Sequence, residues 1–383
     1  MGANTACRNI TPADAGIAAS TYQSQVSTLL ERLILCYDLQ NEEKVIYRIF
    51  DELSRESLAF PTAERFPAVS SICGDRTPFQ FSVSLSRNRK SGRSLRYVTE
   101  ICSKDMMLPC RVALAGKRIP VLFDLLGAER SLPKINEVLD MLLPQVRLSP
   151  EHPTFGIWFG LRHRVGLPSV LKIYCNLLWQ LGDPWHMFGD VIRLLDVDAN
   201  EAVKDIRTFF SASCRPSSIS VECSSDGIGG VRIYLRGYNL SRYVLHDGFE
   251  KLGLADFKHD YARFHEMVAG SRETYIPRSA VVSIDVPEKP REPYGIKVEV
   301  CPRLYLEDDK EINQRVLGLA QELMIDTSYY EKMLGIISDG ALIEGAMHYH
   351  DVVGIGFRPY EGIRLNIYIR PNLRRYFKAR AKT

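Results

Sequence analysis

With 45% hydrophobic and 25% charged residues over 383 positions, the chain has the balance of a globular protein, which excludes disorder, collagen-like repeats and low complexity. A net charge of +3 is too small for nucleic-acid binding driven by bulk electrostatics, so any cationic site must be local. No run of 18 apolar residues is present to span a membrane, and the start Met1-Gly2-Ala3-Asn4-Thr5-Ala6 fits neither a secretory signal nor a myristoylation site. The nine scattered cysteines form no Cys-x-x-Cys pair, so free, mostly buried thiols in a reducing cytoplasm are expected.

In chain order, the apolar spacing predicts a first helix pair at Tyr22 to Leu35 and Glu42 to Leu53. A hairpin follows, from Pro78–Leu85 through the basic loop Arg87–Arg93 to Ser94–Glu100. Asn136 to Leu143 reads as helical and leads to a hairpin of Phe155–Leu161 with Val170–Asn176. Helices at Met187 to Leu195 and Glu201 to Phe210 precede Ser218–Cys223, which joins Val231–Arg236 through a loop at Asp226–Gly230. A helix at Phe257 to Val268 precedes Ala280–Val286 and Gly295–Val300, joined by a Pro- and charge-rich loop. Ile312 to Met324 is the next helix, with Asp308 and Asp309 at its positive end. The last hairpin pairs Val352–Phe357 with Arg364–Arg370 across Pro359-Tyr360-Glu361-Gly362. These are five helix-helix-strand-strand units without a polar linker, so one domain is expected over 1–383, with N-terminal helices in 1–60 and a basic tail in 371–383.

The second strands of the five hairpins superpose. Arg96, Lys172, Arg232, Lys297 and Asn366 share one position, and Val98, Tyr174, Tyr234, Glu299 and Tyr368 follow two residues later. The separations of 76, 60, 65 and 69 residues are longer than any solenoid repeat. Ten antiparallel strands with helices between hairpins predict an α+β fold, a closed ten-stranded antiparallel β-barrel surrounded by α-helices. Closure removes the sheet edges, and ten strands enclose room for a ligand. With helices outside, the apolar set Leu95, Leu171, Ile173, Val231, Ile233, Ile296, Val298, Leu365 and Ile367 must face outward. The Arg/Lys and Tyr sets then face the lumen.

A ring of Arg96, Lys172, Arg232 and Lys297 at one height is costly to bury unless an anion compensates. A diphosphate supplies the charge and the acceptor oxygens. The adjoining tyrosine layer suits ionisation of an allylic diphosphate, each ring face stabilising a carbocation by about 0.5–2 kcal/mol. Two other classes use the same strands: an RNA binder with Arg-x-Tyr platforms on an open sheet, and a non-catalytic carrier of an anionic ligand. No metal site is expected. Glu307-Asp308-Asp309-Lys310-Glu311 reads as a helix cap, His348 and His350 lack a third ligand, and the cations from Arg370 to Lys382 read as a solvated helix end.

On Leu171-Lys172-Ile173-Tyr174, Val231-Arg232-Ile233-Tyr234, Leu95-Arg96-Tyr97-Val98-Thr99-Glu100 and Thr77-Pro78-Phe79-Gln80-Phe81-Ser82, over nearly its whole length, the chain resembles the ABBA-type (PT-barrel) aromatic prenyltransferases. It is most similar to their indole class, which includes dimethylallyltryptophan synthases. The resemblance implies a cytosolic enzyme, monomeric or homodimeric, binding neither nucleic acid nor membrane. It would join dimethylallyl diphosphate, or a longer prenyl diphosphate, to an indole-bearing, tryptophan-derived molecule; a phenolic acceptor is the alternative. It assigns the diphosphate to Arg96, Lys172, Arg232 and Lys297 and the tyrosine shield to Tyr174, Tyr234 and Tyr368, with no obligatory cofactor and magnesium as an aid only.

Three departures from the family pattern stand out. Gly230 replaces an arginine, leaving the clamp one cation short. Glu299 replaces a tyrosine and adds a carboxylate that could meet a proton or a substrate amine. Gln80 stands where the family has the glutamate that bonds the indole N–H; its amide oxygen can accept that bond but is a poor base. Gln80 and Glu299 are therefore the catalytic candidates, and proton removal is open among Glu100, Glu222, Glu299 and His163. Trp158 is a candidate wall for the aromatic pocket if it faces the lumen. The neutral Gln80 favours a modified or cyclised tryptophan over the free amino acid.

Overall fold

Alternation of apolar and polar residues in β-branched strands, with apolar helical stripes between them, leaves each strand one face for a helix layer and one for a lumen. The computed structural model describes residues 21–61, 70–87, 93–103, 106–143, 155–179, 182–195, 197, 200–286, 294–339 and 349–373. Its ten strands are β1 (Phe79–Ser86), β2 (Leu95–Thr99), β3 (Ile157–Arg164), β4 (Leu167–Asn176), β5 (Cys214–Ser224), β6 (Gly227–Gly237), β7 (Ala280–Val286), β8 (Gly295–Val300), β9 (His350–Arg358) and β10 (Gly362–Ile369). Each pairs antiparallel with its sequence neighbours, and β1 pairs β10 with Phe81 opposite Ile369, so the barrel is closed as expected.

The core lies between barrel and helices. Leu171 and Ile173 of β4, Val231 and Ile233 of β6, Ile296 and Val298 of β8, and Leu365 and Ile367 of β10 are all buried on the outer face. Against them pack α1 (Tyr22–Cys36), α2 (Glu43–Ser54), α3 (Leu108–Leu126), α4 (Leu132–Leu142), α5 (Pro184–Leu194), α6 (Asn200–Phe210), α7 (Arg242–Lys251), α8 (Lys258–Ala269), α9 (Asp309–Glu322) and α10 (Ser328–Ser338). In α2 the buried Ile46, Ile49, Phe50 and Leu53 follow helical spacing. Side chains cap the helix starts where backbone N–H groups would otherwise lack partners: Thr21 for α1, Asp183 for α5, Ser241 for α7 and Asp308 for α9.

The acidic run at 307–311 is thus a helix start, as its composition predicts. Asp308 accepts the Glu311 N–H at 2.7 Å, while Asp309 accepts the backbone N–H groups of Tyr349 and His350 and bonds His350 Nδ1 at 2.8 Å. His350 is therefore a buried fastener of β9; His348 lies outside the described residues, as do most of the basic loop at 87–93, the loop between β7 and β8, and the tail from 374. One loop differs from expectation. The turn between β5 and β6 is only Ser225 and Asp226, and Gly227 to Gly230 already belong to β6.

Candidate active site

Strand alternation carries Arg96, Lys172, Arg232, Lys297 and Asn366 into the lumen at one level. They line a cavity of about 80 Å³ together with Arg162, Glu222, Tyr174 and Tyr368. We call this the upper chamber. The register explains the grouping: Arg96 stands opposite Arg162, Lys172 opposite Glu222 and Arg232 opposite Asp285.

The upper chamber is not a ring of bare cations. Lys172 Nζ lies 2.7 Å and an Arg162 nitrogen 3.3 Å from Glu222. Asp285 is shared by Arg232 and Arg358, the latter at 2.6 Å. Compensation expected only from a ligand is therefore supplied in part by the protein's own carboxylates, which correct the all-cation picture. Both carboxylates are held well below the usual range by these cations, against the upward pull of burial. Burial, with Arg232 beside it, draws the Lys172 ammonium down to about 7 despite Glu222. Arg96 donates through its side chain to Ser94 Oγ at 2.8 Å. Burial and the like charges of Arg162 and Arg364 lower it to about 9, so it remains cationic at neutral pH. Gly230 sits at the exposed end of β6, and Arg162 supplies the chamber with a cation from β3.

One layer along the barrel lie Tyr174, Tyr234 and Tyr368. The first two rings are 5.5 Å apart, and the ammonium groups of Lys172 and Lys297 lie over Tyr174 and Tyr368 at 5.9 and 5.6 Å. Burial raises all three phenols, Tyr234 to about 12, so they stay neutral. Neutral phenols present ring faces to a cation without a phenolate that would capture it.

Tyr174 and Tyr368 also border a second cavity of about 330 Å³, the lower chamber, with Tyr234, Gln80, Trp158, Phe155, Val98 and Glu299 on its wall. Trp158 faces this space and stacks on Phe155 with ring centroids 3.8 Å apart. Gln80 projects from β1, its Oε1 3.9 Å from the Cys73 thiol. Glu299 reaches from β8 to Lys297 Nζ at 2.7 Å, and Lys297 also donates to the Tyr368 hydroxyl at 3.1 Å. Lys297 holds the Glu299 carboxyl below its ordinary value against the effect of burial. The side chain fits because β9 has Gly354 opposite it; a Cβ there would stand 2.8 Å from Glu299 Cγ.

The four proton-acceptor candidates separate. Glu299 borders the lower chamber and Glu222 the upper one. Glu100 is buried behind Trp158, bonded to Ser70 at 2.5 Å and to the indole nitrogen of Trp158 at 3.4 Å. His163 is on the opposite face of β3 from Arg162, against Tyr97 and outside the lumen, which removes it from the site. Burial keeps its imidazole neutral, with a pKa lowered to about 3. In the unfolded chain the same group protonates near 6.5, so its contribution to stability is present above that pH and is lost as pH falls toward 3. His163→Leu is expected to flatten the acid limb of stability, which wild type should follow at up to about 1.4 kcal/mol per pH unit. Urea unfolding between pH 6.5 and 4 measures this; parallel curves for the two proteins would refute it.

Sequence reasoning missed Arg162, Asp285 and Arg358. All three are on first strands of hairpins, outside the motif that the second strands share; the alternation Trp158-Gly160-Arg162 and Ser283-x-Asp285 carries the signal. Among the described residues no helix is long and apolar enough to cross a membrane, and no group of three or more His, Cys, Asp or Glu could hold a metal ion.

No family model and no curated protein sequence matches the chain. Solved structures do. The prenyltransferase PriB, in a ternary complex with L-tryptophan and dimethylallyl thiolodiphosphate, superposes with a TM-score of 0.78 at 18% identity, over 93% of this chain and 97% of that one. 5-Dimethylallyltryptophan synthase from Streptomyces coelicolor gives 0.75 at 16%, over 93% and 99%. 6-Dimethylallyltryptophan synthase from Micromonospora olivasterospora, in complex with DMASPP and Trp, gives 0.76 at 16%, over 93% and 98%. A closed ten-stranded barrel with cations and tyrosines turned inward, matched over almost its full length by these enzymes, has the fold of the ABBA-type aromatic prenyltransferases.

Proposed function

We propose that the protein is an aromatic prenyltransferase that moves a dimethylallyl group from dimethylallyl diphosphate to an indole by electrophilic aromatic substitution. The observation that carries this reading is the stacking of three layers in one closed lumen: cations, neutral tyrosines, and an aromatic-walled cavity. Arg96, Lys172, Arg232 and Lys297, with Arg162, would hold the diphosphate and stabilise it as it leaves. Tyr174, Tyr234 and Tyr368 would face the allylic cation, and the barrel wall would keep water from quenching it. In the lower chamber Gln80 Oε1 would accept the indole N–H, Trp158 would stack on the ring, and the ionised Glu299 would take the proton released as aromaticity returns. Magnesium is proposed as an aid to the diphosphate and not a requirement, because Glu222 and Asp285 are already engaged by cations.

An RNA platform needs these strands exposed, whereas here they line a closed lumen. Incubation with dimethylallyl diphosphate and a panel of indoles, hydroxynaphthalenes and phenols, followed by mass, tests the proposal. A product 68 Da heavier than an indole acceptor (the addition of C5H8, about that mass by valence) is expected. Faster turnover of phenols than of every indole would move the assignment to phenolic acceptors, and no product from any acceptor would leave a ligand carrier.

A further inference from the structure

The aromatic wall of the lower chamber is only as well defined as the ring of Trp158. Phe155 covers one face of that ring, with the two planes 21° apart, and Ile72, Cys73 and Val98 pack against it as a small cluster separate from the main core. Apolar contacts of this kind set the plane in which a ring lies and leave it free to slide and turn within that plane. A directional bond from the indole nitrogen removes the freedom, and the bond goes to Glu100.

The strand register brings the two residues together. Val98 stands opposite Gly160 and Thr99 opposite Phe159, so the next step along both strands sets Glu100 beside Trp158, just past the end of β2. The Glu100 N–H donates to Pro78 O at 3.1 Å, which holds its backbone. Its side chain is fully buried and accepts from three separate segments. Oε2 accepts from Ser70 Oγ at 2.5 Å and from Trp158 Nε1 at 3.4 Å, and Oε1 accepts from Arg111 of α3 at 3.4 Å. Ser70 Oγ in turn accepts the Ile72 N–H at 3.2 Å, and Arg111 donates to Met106 O at 3.0 Å. A buried carboxylate is retained where donors surround it. Here the donors are two pieces of the chamber wall, Trp158 and the segment that carries Ile72, and a cation from the helix layer.

We propose that Glu100 is a positioning residue: it fixes the orientation of Trp158, and through Trp158 that of the acceptor ring, while taking no proton from the substrate. This deepens the prenyl-transfer reading and rests on it. Glu299 borders the cavity, whereas Glu100 lies behind Trp158 and reaches the acceptor only through that ring. An acceptor stacked on a wall that can turn presents more than one of its carbons to the allylic cation, so the bond to Glu100 also guards the site of attachment.

The chain has three tryptophans, so Trp158 can be followed alone in a Trp179→Phe, Trp185→Phe background. There Glu100→Leu is expected to lower the fluorescence anisotropy of Trp158. With all three tryptophans present, the same substitution should weaken binding of L-tryptophan and of indole about tenfold, measured by calorimetry with inorganic diphosphate present. The acceptor KM should rise to match, the donor KM should hold, and the prenyl group should appear at more than one ring position. Glu100→Gln keeps an acceptor oxygen and should retain part of the wild-type behaviour. With Trp158→Phe in place, Glu100→Leu should weaken acceptor binding no further, because the N–H through which it acts is gone. If the Leu variant does not fold, Glu100→Gln carries the same cycle: its smaller loss must vanish in Trp158→Phe. Unchanged anisotropy, additive losses in the cycle, or no binding of either indole by the wild type overturns the assignment. Equal loss of kcat in the Gln and Leu variants with acceptor binding unchanged would make Glu100 the base and overturn it too. Binding that depends on Glu100 through Trp158, without transfer to any indole, sustains the positioning role and sinks the prenyl-transfer reading.

Discussion

Arg232→Gln is expected to lower kcat/KM for the prenyl donor by about 10²–10³-fold, the usual effect of removing one preorganised donor from a site where negative charge develops. Its guanidinium lines the upper chamber, and Asp285 raises its pKa well above the ordinary arginine value, so it is cationic at every working pH. On the proposed prenyl transfer, loss of this charge would weaken the clamp just as the C–O bond of the donor breaks and charge gathers on the leaving group. The variant also disturbs the fold locally. Asp285 keeps Arg358 at 2.6 Å, so the cost should fall below the about 3–5 kcal/mol typical of breaking a buried pair outright. The double variant Arg232→Gln, Asp285→Asn also takes Asp285 from Arg358, so it should be less stable than the single variant and no more active. Product formation by mass and thermal unfolding, measured on both variants, make the distinction. Wild-type turnover in either one refutes the clamp.

Glu299→Gln is expected to lower kcat by about 10²-fold or more, within the range for loss of a positioned base. The glutamine keeps the side-chain shape in the space opposite Gly354 and keeps a hydrogen bond to Lys297, so packing is not the variable. Two further readouts identify proton removal. Lys297 holds the Glu299 pKa below that of an ordinary glutamate. Activity should therefore be full at neutral pH and decline only as pH falls through that lowered pKa, and the variant should lack this acid limb. Deuterium at the reacting ring carbon should slow the variant more than the wild type, because re-aromatisation becomes the slow step. A variant with unchanged kcat and no added isotope effect would show that the proton leaves by another route.

The parts of the molecule that were legible in the sequence are those where one pattern had one cause. In β4 and β6, Leu-Lys-Ile-Tyr and Val-Arg-Ile-Tyr alternate between a helix-covered face and a polar lumen, and both the barrel and its inward set follow from that alternation. The two helices of each unit were legible as a rule but not always as segments. In α3, Pro120 and the polar run Gly116-Lys117-Arg118 interrupt the apolar spacing, and α7 has few apolar residues and a glycine, Gly248. Glu299 and Glu222 were legible as candidate proton acceptors, but Asp285 and the role of Glu222 as a counter-charge were not, because an acid in an alternating strand has the same local pattern on a solvated face as on a lining one. Only pairing across strands, Arg232 with Asp285 and Lys172 with Glu222, reveals which side it faces.

The pairing of β1 with β10 also has a consequence for how the protein acquires its function. That seam joins opposite ends of the chain, with Ser82 meeting both Arg96 on one side and Tyr368 on the other. Each hairpin can form from local contacts, but the seam is the most non-local pairing in the molecule and carries the largest loop-closure entropy. Before it forms, the curved sheet is open and its cations and tyrosines face water. After it forms, they surround an enclosed volume. Helical and strand content should thus recover early when the denatured chain is returned to native conditions, while the ability to carry out chemistry should emerge in a single later phase, at the rate of ring closure.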